Sequence, residues 1–252
     1  RRTFFDTVCF DIGPHGLLAI LTPQGLMQLQ LENNAHTEPA VVGYNTRHML
    51  PGTVLAMRLL TDDRVVLATH GRGPYGLNET LQIGVPGESM HDVTVSRLTS
   101  TAFSPDGRWL AAGNAAGTIA LIDWQRDQTI TRLHTHPGSV QHLIFSADGQ
   151  TLASSGSEGS LIIWNMPAMT IRQQINTIDT HIETLALNPT GTHVLFAGER
   201  IMQLWDTHSG TVIEQRGQDS TVTAVTFSTC GRFYATADCR GHLHLWNATH
   251  NT

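Results

Sequence analysis

One six-residue motif recurs four times along the chain at almost constant spacing. The copies read Phe103-Ser-Pro-Asp-Gly-Arg, Phe145-Ser-Ala-Asp-Gly-Gln, Leu187-Asn-Pro-Thr-Gly-Thr and Phe227-Ser-Thr-Cys-Gly-Arg, and their first residues are 42, 42 and 40 positions apart. A second landmark keeps the same phase, with spacings of 42, 41 and 41, at Ile122-Asp123, Trp164-Asn165, Trp205-Asp206 and Trp246-Asn247. Self-similarity at such a period indicates a repeat architecture, in which each repeat is one supersecondary unit stacked against the next.

The first hundred residues carry the same pattern in a weaker form. One unit contains Phe10-Asp-Ile-Gly-Pro-His-Gly with Gly25-Leu-Met-Gln-Leu-Gln as a later strand, and another contains Leu59-Leu-Thr-Asp-Asp-Arg. The wider spacing of these two units predicts longer loops at 33–39 and 70–78. The second loop is rich in glycine, but no helical pattern follows it. A hairpin loop is therefore favoured there over a phosphate-binding loop.

Within each unit, short apolar segments alternate with turn residues. In the best-defined unit the pattern predicts strands at 140–145, 151–155, 160–164 and 170–176, with a tight turn at Asp148-Gly149. Four short strands per repeat, separated by Gly, Asp, Asn and Ser, are typical of a propeller blade. No segment has a sustained helical period, so the predicted fold class is all-β.

The motif that begins at Phe103, followed about 20 residues on by sequences such as Leu-Trp-Asp or Ile-Trp-Asn, resembles the WD40-repeat family. The Phe103 unit resembles the prokaryotic style of that repeat. The resemblance is specific over residues 97–247 and weaker over 4–96. It implies one domain over 1–252, a β-propeller of about six four-stranded WD40 blades. The implied units are 4–50, 51–95, 96–137, 138–179, 180–219 and 220–252.

The resemblance also implies that the ring closes by taking one strand from beyond the opposite end of the chain. The last unit stops at Thr252 without room for a fourth strand, and Phe5 already occupies a first-strand position. We therefore expect the last blade to be incomplete within this chain, with the closing strand missing or supplied by residues outside it. Since the sequence begins at Arg1 rather than Met, we expect one module of a larger multidomain protein.

A structural hydrogen-bond network is a further implication of the resemblance. It joins a His before the first strand, a Ser or Thr on the second, an Asp in the next hairpin and the Trp of the third. The best match is the unit with His136, Ser154 or Ser155, Glu158 and Trp164; the next unit keeps only Glu199 and Trp205, and the last has Gln218, Arg240 and Trp246. We expect these networks to be mostly broken, so that apolar contacts dominate the packing of the blades.

Composition and charge restrict the partners. The net charge is −6 and the basic residues are scattered singly, whereas a nucleic-acid site would show a basic stripe. No apolar run approaches the roughly 20 residues that span a bilayer, and no signal-peptide core follows Arg1. All 15 basic residues are Arg, which fits either genomic bias or a surface kept free of acylation and ubiquitin attachment. We expect neither nucleic acid nor membrane as a partner.

Three cysteines do not make a disulfide framework. Cys230 and Cys239 flank a predicted strand at 233–237, which would hold their Cα atoms far beyond the ~7 Å that a disulfide allows. A reducing compartment fits best, so the expected location is cytoplasmic.

Metal and enzyme sites have weak support. Two pairs of histidines, His134 with His136 and His242 with His244, have i, i+2 spacing, but zinc needs three or four ligands and no acid or Cys keeps constant spacing with either pair. No Gly-x-Ser-x-Gly or His-Glu-x-x-His motif is present. We expect no metal, no cofactor and no catalytic residue. The alternative is a propeller enzyme of the hydrolase or lactonase type, with a metal or small-molecule site on the central axis.

The binding surface follows from the resemblance. Residues on either side of the first-strand apolar anchor, and just before the hairpin acid, line the narrow face of such a propeller. In this sequence they are Phe4, Asp6, Thr53, Leu55, Arg97, Thr99, Ser139, Gln141, Ser157, His181, Glu183, Thr221, Thr223 and Cys239. Most are polar, whereas core positions would be apolar. The predicted function is a scaffold or sensor platform that binds a protein or peptide, including other domains of the same polypeptide.

Overall fold

The computed structural model describes residues 9–12, 17–22, 25–30, 40–42, 53–59, 65–72, 79–85, 91–95, 97–126, 128–134, 136–166, 168–176, 181–199 and 201–248. The chain divides into two compact units. The first comprises Arg1–Ser96, Asp106–Leu110 and Ile122–Ile130, and the second comprises Arg97–Pro105, Ala111–Leu121 and Thr131–Thr252. Among the described residues, no helix is long and apolar enough to cross a membrane.

Two four-stranded antiparallel sheets belong to the first unit. Sheet one contains β1 (Cys9–Ile12), β2 (Leu17–Thr22), β3 (Gly25–Gln30) and β4 (Ala40–Val42), and sheet two contains β5 (Thr53–Leu59), β6 (Val65–Arg72), β7 (Glu79–Gly84) and β8 (His91–Thr94). Each strand pairs with the next one along the chain. The first strands of the two sheets, β1 and β5, are neighbours.

Sheet three has the same consecutive order. It contains β9 (Leu98–Phe103), β10 (Trp109–Asn114), β11 (Thr118–Asp123) and β12 (Gln128–His134). The described part of the chain has one helical segment, a single 3₁₀ turn at Trp124–Arg126 between β11 and β12. All of β11 is buried, so this strand lies inside the protein rather than at its surface.

Three antiparallel sheets follow in the second unit. Sheet four contains β13 (Val140–Phe145), β14 (Thr151–Gly156), β15 (Ser160–Asn165) and β16 (Thr170–Asn176). Sheet five contains β17 (Thr184–Leu187), β18 (His193–Ala197), β19 (Ile201–Asp206) and β20 (Thr211–Gly217), and sheet six contains β21 (Val222–Phe227), β22 (Phe233–Asp238) and β23 (Leu243–Asn247). The first strands β9, β13, β17 and β21 lie side by side in that order. This nearly all-β architecture of four-stranded sheets fits a WD40 β-propeller.

The recurring motif is the turn between the first and second strands of a sheet. Its glycine has a positive φ in every copy, at Gly107 (69°), Gly149 (70°), Gly191 (65°) and Gly231 (71°). Residues with a Cβ rarely adopt this left-handed conformation, so the turn requires glycine. In the later copies the glycine N–H donates to the carbonyl oxygen three residues earlier, at 2.9 Å for Gly149 and 3.0 Å for Gly191. The sequence period is thus the period of this turn.

Neighbouring sheets pack face to face through apolar side chains. Sheets four and five share a cluster that includes Ile163, Ile182, Val194 and Phe196, all at most 3% exposed. Sheets five and six share another, which includes Leu204 and Tyr234 at 1% exposure. Fully burying one such side chain contributes about 1.5–3 kcal/mol, so both clusters contribute substantially to the stability of the second unit.

The strands of sheet four confirm the sequence prediction to within one residue, and β3 begins at Gly25 as predicted. The loop predicted at 70–78 is shorter than expected, because β6 continues through Arg72. There the backbone ladder still pairs Gly71 with Thr80 and Arg72 with Glu79. The predicted first-strand position of Phe5 lies outside the described residues.

Candidate functional site

In three of the sheets, one end is tied together by a recurring backbone hydrogen bond. In sheet three the Ala115 N–H donates to the Arg97 carbonyl at 2.9 Å, and in sheet four the Ser157 N–H donates to the Ser139 carbonyl at 2.8 Å. In sheet six the Cys239 N–H donates to the Thr221 carbonyl at 2.9 Å. Each bond joins the residue before the first strand to the hairpin between the second and third strands. We call this end of the sheets the hairpin edge.

A β-bulge lies at the hairpin edge of three sheets. The register shifts between Val54 and Ala56, between Val140 and His142, and between Val222 and Ala224. The bulged residues are Leu55, Gln141 and Thr223, and all three belong to the predicted binding set. A bulge leaves one residue unpaired and redirects its side chain, which is why bulges are frequent beside binding sites.

The predicted residues flank buried anchors. Val140 is 0% exposed, Ile182 3% and Val222 1%. On either side of the anchors, Arg97, Thr99, Ser157, His181, Thr223 and Cys239 are exposed, and Ser139, Gln141, Glu183 and Thr221 are half-buried. The structure thus brings these ten residues to the hairpin edge of the second unit. Phe4 and Asp6 lie outside the described residues, and of Thr53 and Leu55 only the backbone, on β5, is described.

Two side chains of this edge fasten neighbouring sheets to each other. The Thr99 hydroxyl lies 2.6 Å from the Val140 carbonyl oxygen and 3.2 Å from that of Gly113. The His142 Nε2 lies 2.9 Å from the Ile182 carbonyl oxygen, so this nitrogen carries a proton. Burial is the largest effect on His142 and holds its pKa below the usual value, although the bond to Ile182 opposes it. Thr99 was predicted to contact a partner, but its hydroxyl proton is donated to carbonyl oxygens of the protein itself.

The ionic groups of the edge are few. His181 Nε2 and Glu183 Oε1 lie 3.2 Å apart, and the Glu183 N–H donates to the Ala197 carbonyl at 2.9 Å. Arg97 is exposed and has a φ of 53°, a left-handed conformation that is uncommon for residues other than glycine. Arg97 and Glu183 therefore carry their charged side chains on backbone that hydrogen bonds hold in place.

The network around His136 is complete in sheet four. The Trp164 Nε1–H donates to the Ser154 Oγ at 3.1 Å, and Ser154 Oγ lies 2.8 Å from His136 Nε2. On the other side of the ring, His136 Nδ1 lies 3.0 Å from Glu158 Oε1 and 2.8 Å from Ser160 Oγ. A neutral imidazole with its proton on Nδ1 satisfies all of these contacts. Glu in place of the usual Asp therefore does not break this network.

The environment of the network sets its ionisation. Burial lowers the pKa of His136, and Glu158 only partly offsets this effect. Burial alone would raise the pKa of Glu158, but hydrogen bonds from Ser160, the backbone and His136 outweigh it and hold the pKa below its usual value. From the sequence, either Ser154 or Ser155 could be the second-strand member of the network. Ser154 is the network member, and the Ser155 Oγ is buried without a hydrogen-bond partner.

The other tryptophans use different acceptors. The Trp205 Nε1–H donates to Gln203 Oε1 at 3.0 Å, and the Trp246 Nε1–H donates to Thr236 Oγ1 at 3.1 Å. In sheet six the sequence placed Arg240 at the position of the hairpin acid. The acid of this hairpin is Asp238, two positions earlier, whose carboxylate accepts bonds from the Arg240 and His242 backbone N–H groups at 3.0 and 2.8 Å. The family pattern did not mark this position.

The described residues contain no group of three or more His, Cys, Asp or Glu that could hold a metal ion. The rings of His242 and His244 are 6.3 Å apart between centroids, and His242 Nδ1 lies 3.0 Å from Asp238 Oδ2. This pair is therefore part of the sheet-six hairpin. Of the His134 side chain nothing is described.

A polar cleft of about 550 Å³ opens beside the hairpin edge of sheets five and six. Its lining is formed by Glu199 and by the segment Gly217, Gln218, Asp219, Ser220 and Thr221. Among the described lining residues, Thr221 belongs to the predicted binding set. The family pattern placed Glu199 and Gln218 in the structural network of their units and did not mark Asp219.

Two family models match parts of the chain. The family model of the Vps8 beta-propeller matches residues 78–182, and that of the WD domain, G-beta repeat, matches residues 210–247. Together these matches support a WD40-repeat family. Protein HIR1 of Candida albicans is 36% identical over 102 residues, which are 33% of this chain and 11% of that protein.

Two further WD40 relatives align with longer parts of the chain. Telomerase protein component 1 of Mus musculus is 27% identical over 153 residues, or 60% of this chain and 6% of that protein. Transcription initiation factor TFIID subunit 5 of Caenorhabditis elegans is 26% identical over 152 residues, or 59% of this chain and 23% of that protein. The aligned part of this chain thus spans less than a quarter of the length of each of these relatives.

Proposed function

We propose that this chain is a protein- or peptide-binding scaffold and that its partner binds at the hairpin edge. The observation that supports the proposal is one backbone geometry that recurs at the hairpin edge. In sheets four and six, a buried first-strand anchor is followed by a bulged residue, Gln141 or Thr223, beside a hairpin held by a backbone bond. Repetition aligns several outward side chains on one rigid surface. Rigid surfaces lose little entropy on binding, which favours a role in recognition.

The relatives support a role in assemblies. Two of them are named as a subunit of a transcription initiation factor and as a protein component of telomerase. We propose likewise that this chain acts as one module of a larger polypeptide, with each of the six described sheets as one blade. Its partners are proteins, including other domains of its own polypeptide, rather than nucleic acids or membranes, and its role is binding rather than catalysis. We propose a reducing, cytoplasmic location, in which Cys230 and Cys239 stay free thiols.

The test is a double charge reversal at the hairpin edge. We expect Arg97→Glu with Glu183→Arg to abolish capture of partners by the purified chain, because a wrongly charged group in a desolvated contact costs several kcal/mol. Capture is measured by affinity purification and quantitative mass spectrometry against the wild-type chain. Thermal unfolding checks that the variant is folded, since exposed substitutions change stability by less than ~0.5 kcal/mol.

The matched control adds one charge of each sign on the fourth strand of sheet four. Thr170 and Gln174 are both exposed on β16, so Thr170→Arg with Gln174→Glu leaves the net charge unchanged. This variant is expected to capture the same partners as the wild-type chain. If instead the control loses its partners and the hairpin-edge variant keeps them, the binding surface lies on the outer strands and the proposal is wrong.

A further inference from the structure

We draw no further inference here: the strongest candidate, the apolar face of sheet six that exposes Phe233, Leu243 and Leu245, carries nothing beyond the ring closure that the family resemblance already implies, because the described part of the structure does not show what covers it.

Discussion

Sheets four and six place a tryptophan at the same position of the third strand but stabilise it by different means. In sheet four, Trp164 is 2% exposed and ends a hydrogen-bonded chain that runs through Ser154 to His136. In sheet six, Trp246 is only partly buried, and its indole donates to Thr236 on the neighbouring strand. There the Arg216 guanidinium lies 4.3 Å from the ring centre, and Tyr234 stacks against it at 6.2 Å.

This difference shows which part of the repeat is fixed. The strand register puts an indole ring at the interface between sheets in both cases, because Trp164 pairs with Leu152 and Trp246 with Tyr234 at equivalent positions. The hydrogen-bond partner of the indole is interchangeable. A buried polar network in sheet four is replaced in sheet six by an aromatic and cation–π stack, an interaction worth about 0.5–1 kcal/mol at exposed sites.

Removal of the two indole rings should give the largest difference in stability between sheets four and six. We expect Trp164→Ala to lower the free energy of unfolding by about 3–5 kcal/mol, since it empties a fully buried site. Trp246→Ala should cost about 1–3 kcal/mol, because the ring is already partly exposed. Urea denaturation of both variants measures the difference. Equal losses would show that the two interfaces are equally dependent on the ring.

The position of the network histidine gives a second, smaller difference in stability between sheets four and six. His136→Ala should destabilise the protein by about 2–3 kcal/mol, because it empties a buried site and removes one hydrogen-bond partner each from the hydroxyls of Ser154 and Ser160. At the matching position of sheet six, Gln218→Ala should cost less than ~0.5 kcal/mol, since Gln218 belongs to the cleft and not to the tryptophan network. A double-mutant cycle of His136→Ala with Ser154→Ala should show coupling. Additive losses in that cycle would mean that the network is not cooperative.

The pH dependence of stability provides the smallest contrast. Burial lowers the pKa of His136, His142 and His193 in sheets four and five, so the unfolded chain binds protons at a higher pH than the folded one. The contribution of these histidines to the free energy of unfolding is complete above the unfolded pKa of 6.5. It is lost as the pH falls through the lowered pKa values of the folded chain. The free energy of unfolding should therefore decrease between pH 7.5 and 5.5.

Substitution identifies the groups responsible for this decrease. His136→Gln should make the loss between pH 7.5 and 5.5 smaller, whereas His244→Gln, on the exposed strand β23 of sheet six, should leave it unchanged. Urea midpoints at both pH values measure the effect. A decrease of the same size in the His136 variant would assign the pH dependence to other groups.

The strands were predictable where the repeat is intact. The motif glycine at 107, 149, 191 and 231 has a required backbone conformation, so its position in the sequence fixes the turn and the strands on either side. In sheet two the motif has no such glycine, and β6 continues into the segment that the sequence predicted as a loop. The predicted anchors Val140, Ile182 and Val222 are buried, because residues that alternate along a strand alternate between its two faces.

The candidate site was predictable only in its repeated part. Gln141 and Thr223 lie next to the anchors, where the family pattern placed them, and each is at a bulge; their contact with a partner stays a prediction. The use of Thr99 within the fold could not be foreseen, because its acceptor is a carbonyl on the next sheet, 41 residues away. The positions of Asp238 and Asp219 were not predicted, because they depend on loop conformation, which has no period in the sequence. Glu199 was expected only as the hairpin acid of its unit.

The bonds from Thr99 to Val140 and from His142 to Ile182 have one further consequence. Each runs from the first strand of one sheet to the anchor residue of the next, at 2.6 and 2.9 Å. Hydrogen bonds tolerate far less variation in length than contacts between apolar side chains do. The two bonds therefore fix the interval between the first strands of sheets three and four and the interval between those of sheets four and five. A segment that touches two neighbouring sheets has to match this interval, so selection among partners depends on the spacing of their contacts as well as on their chemistry.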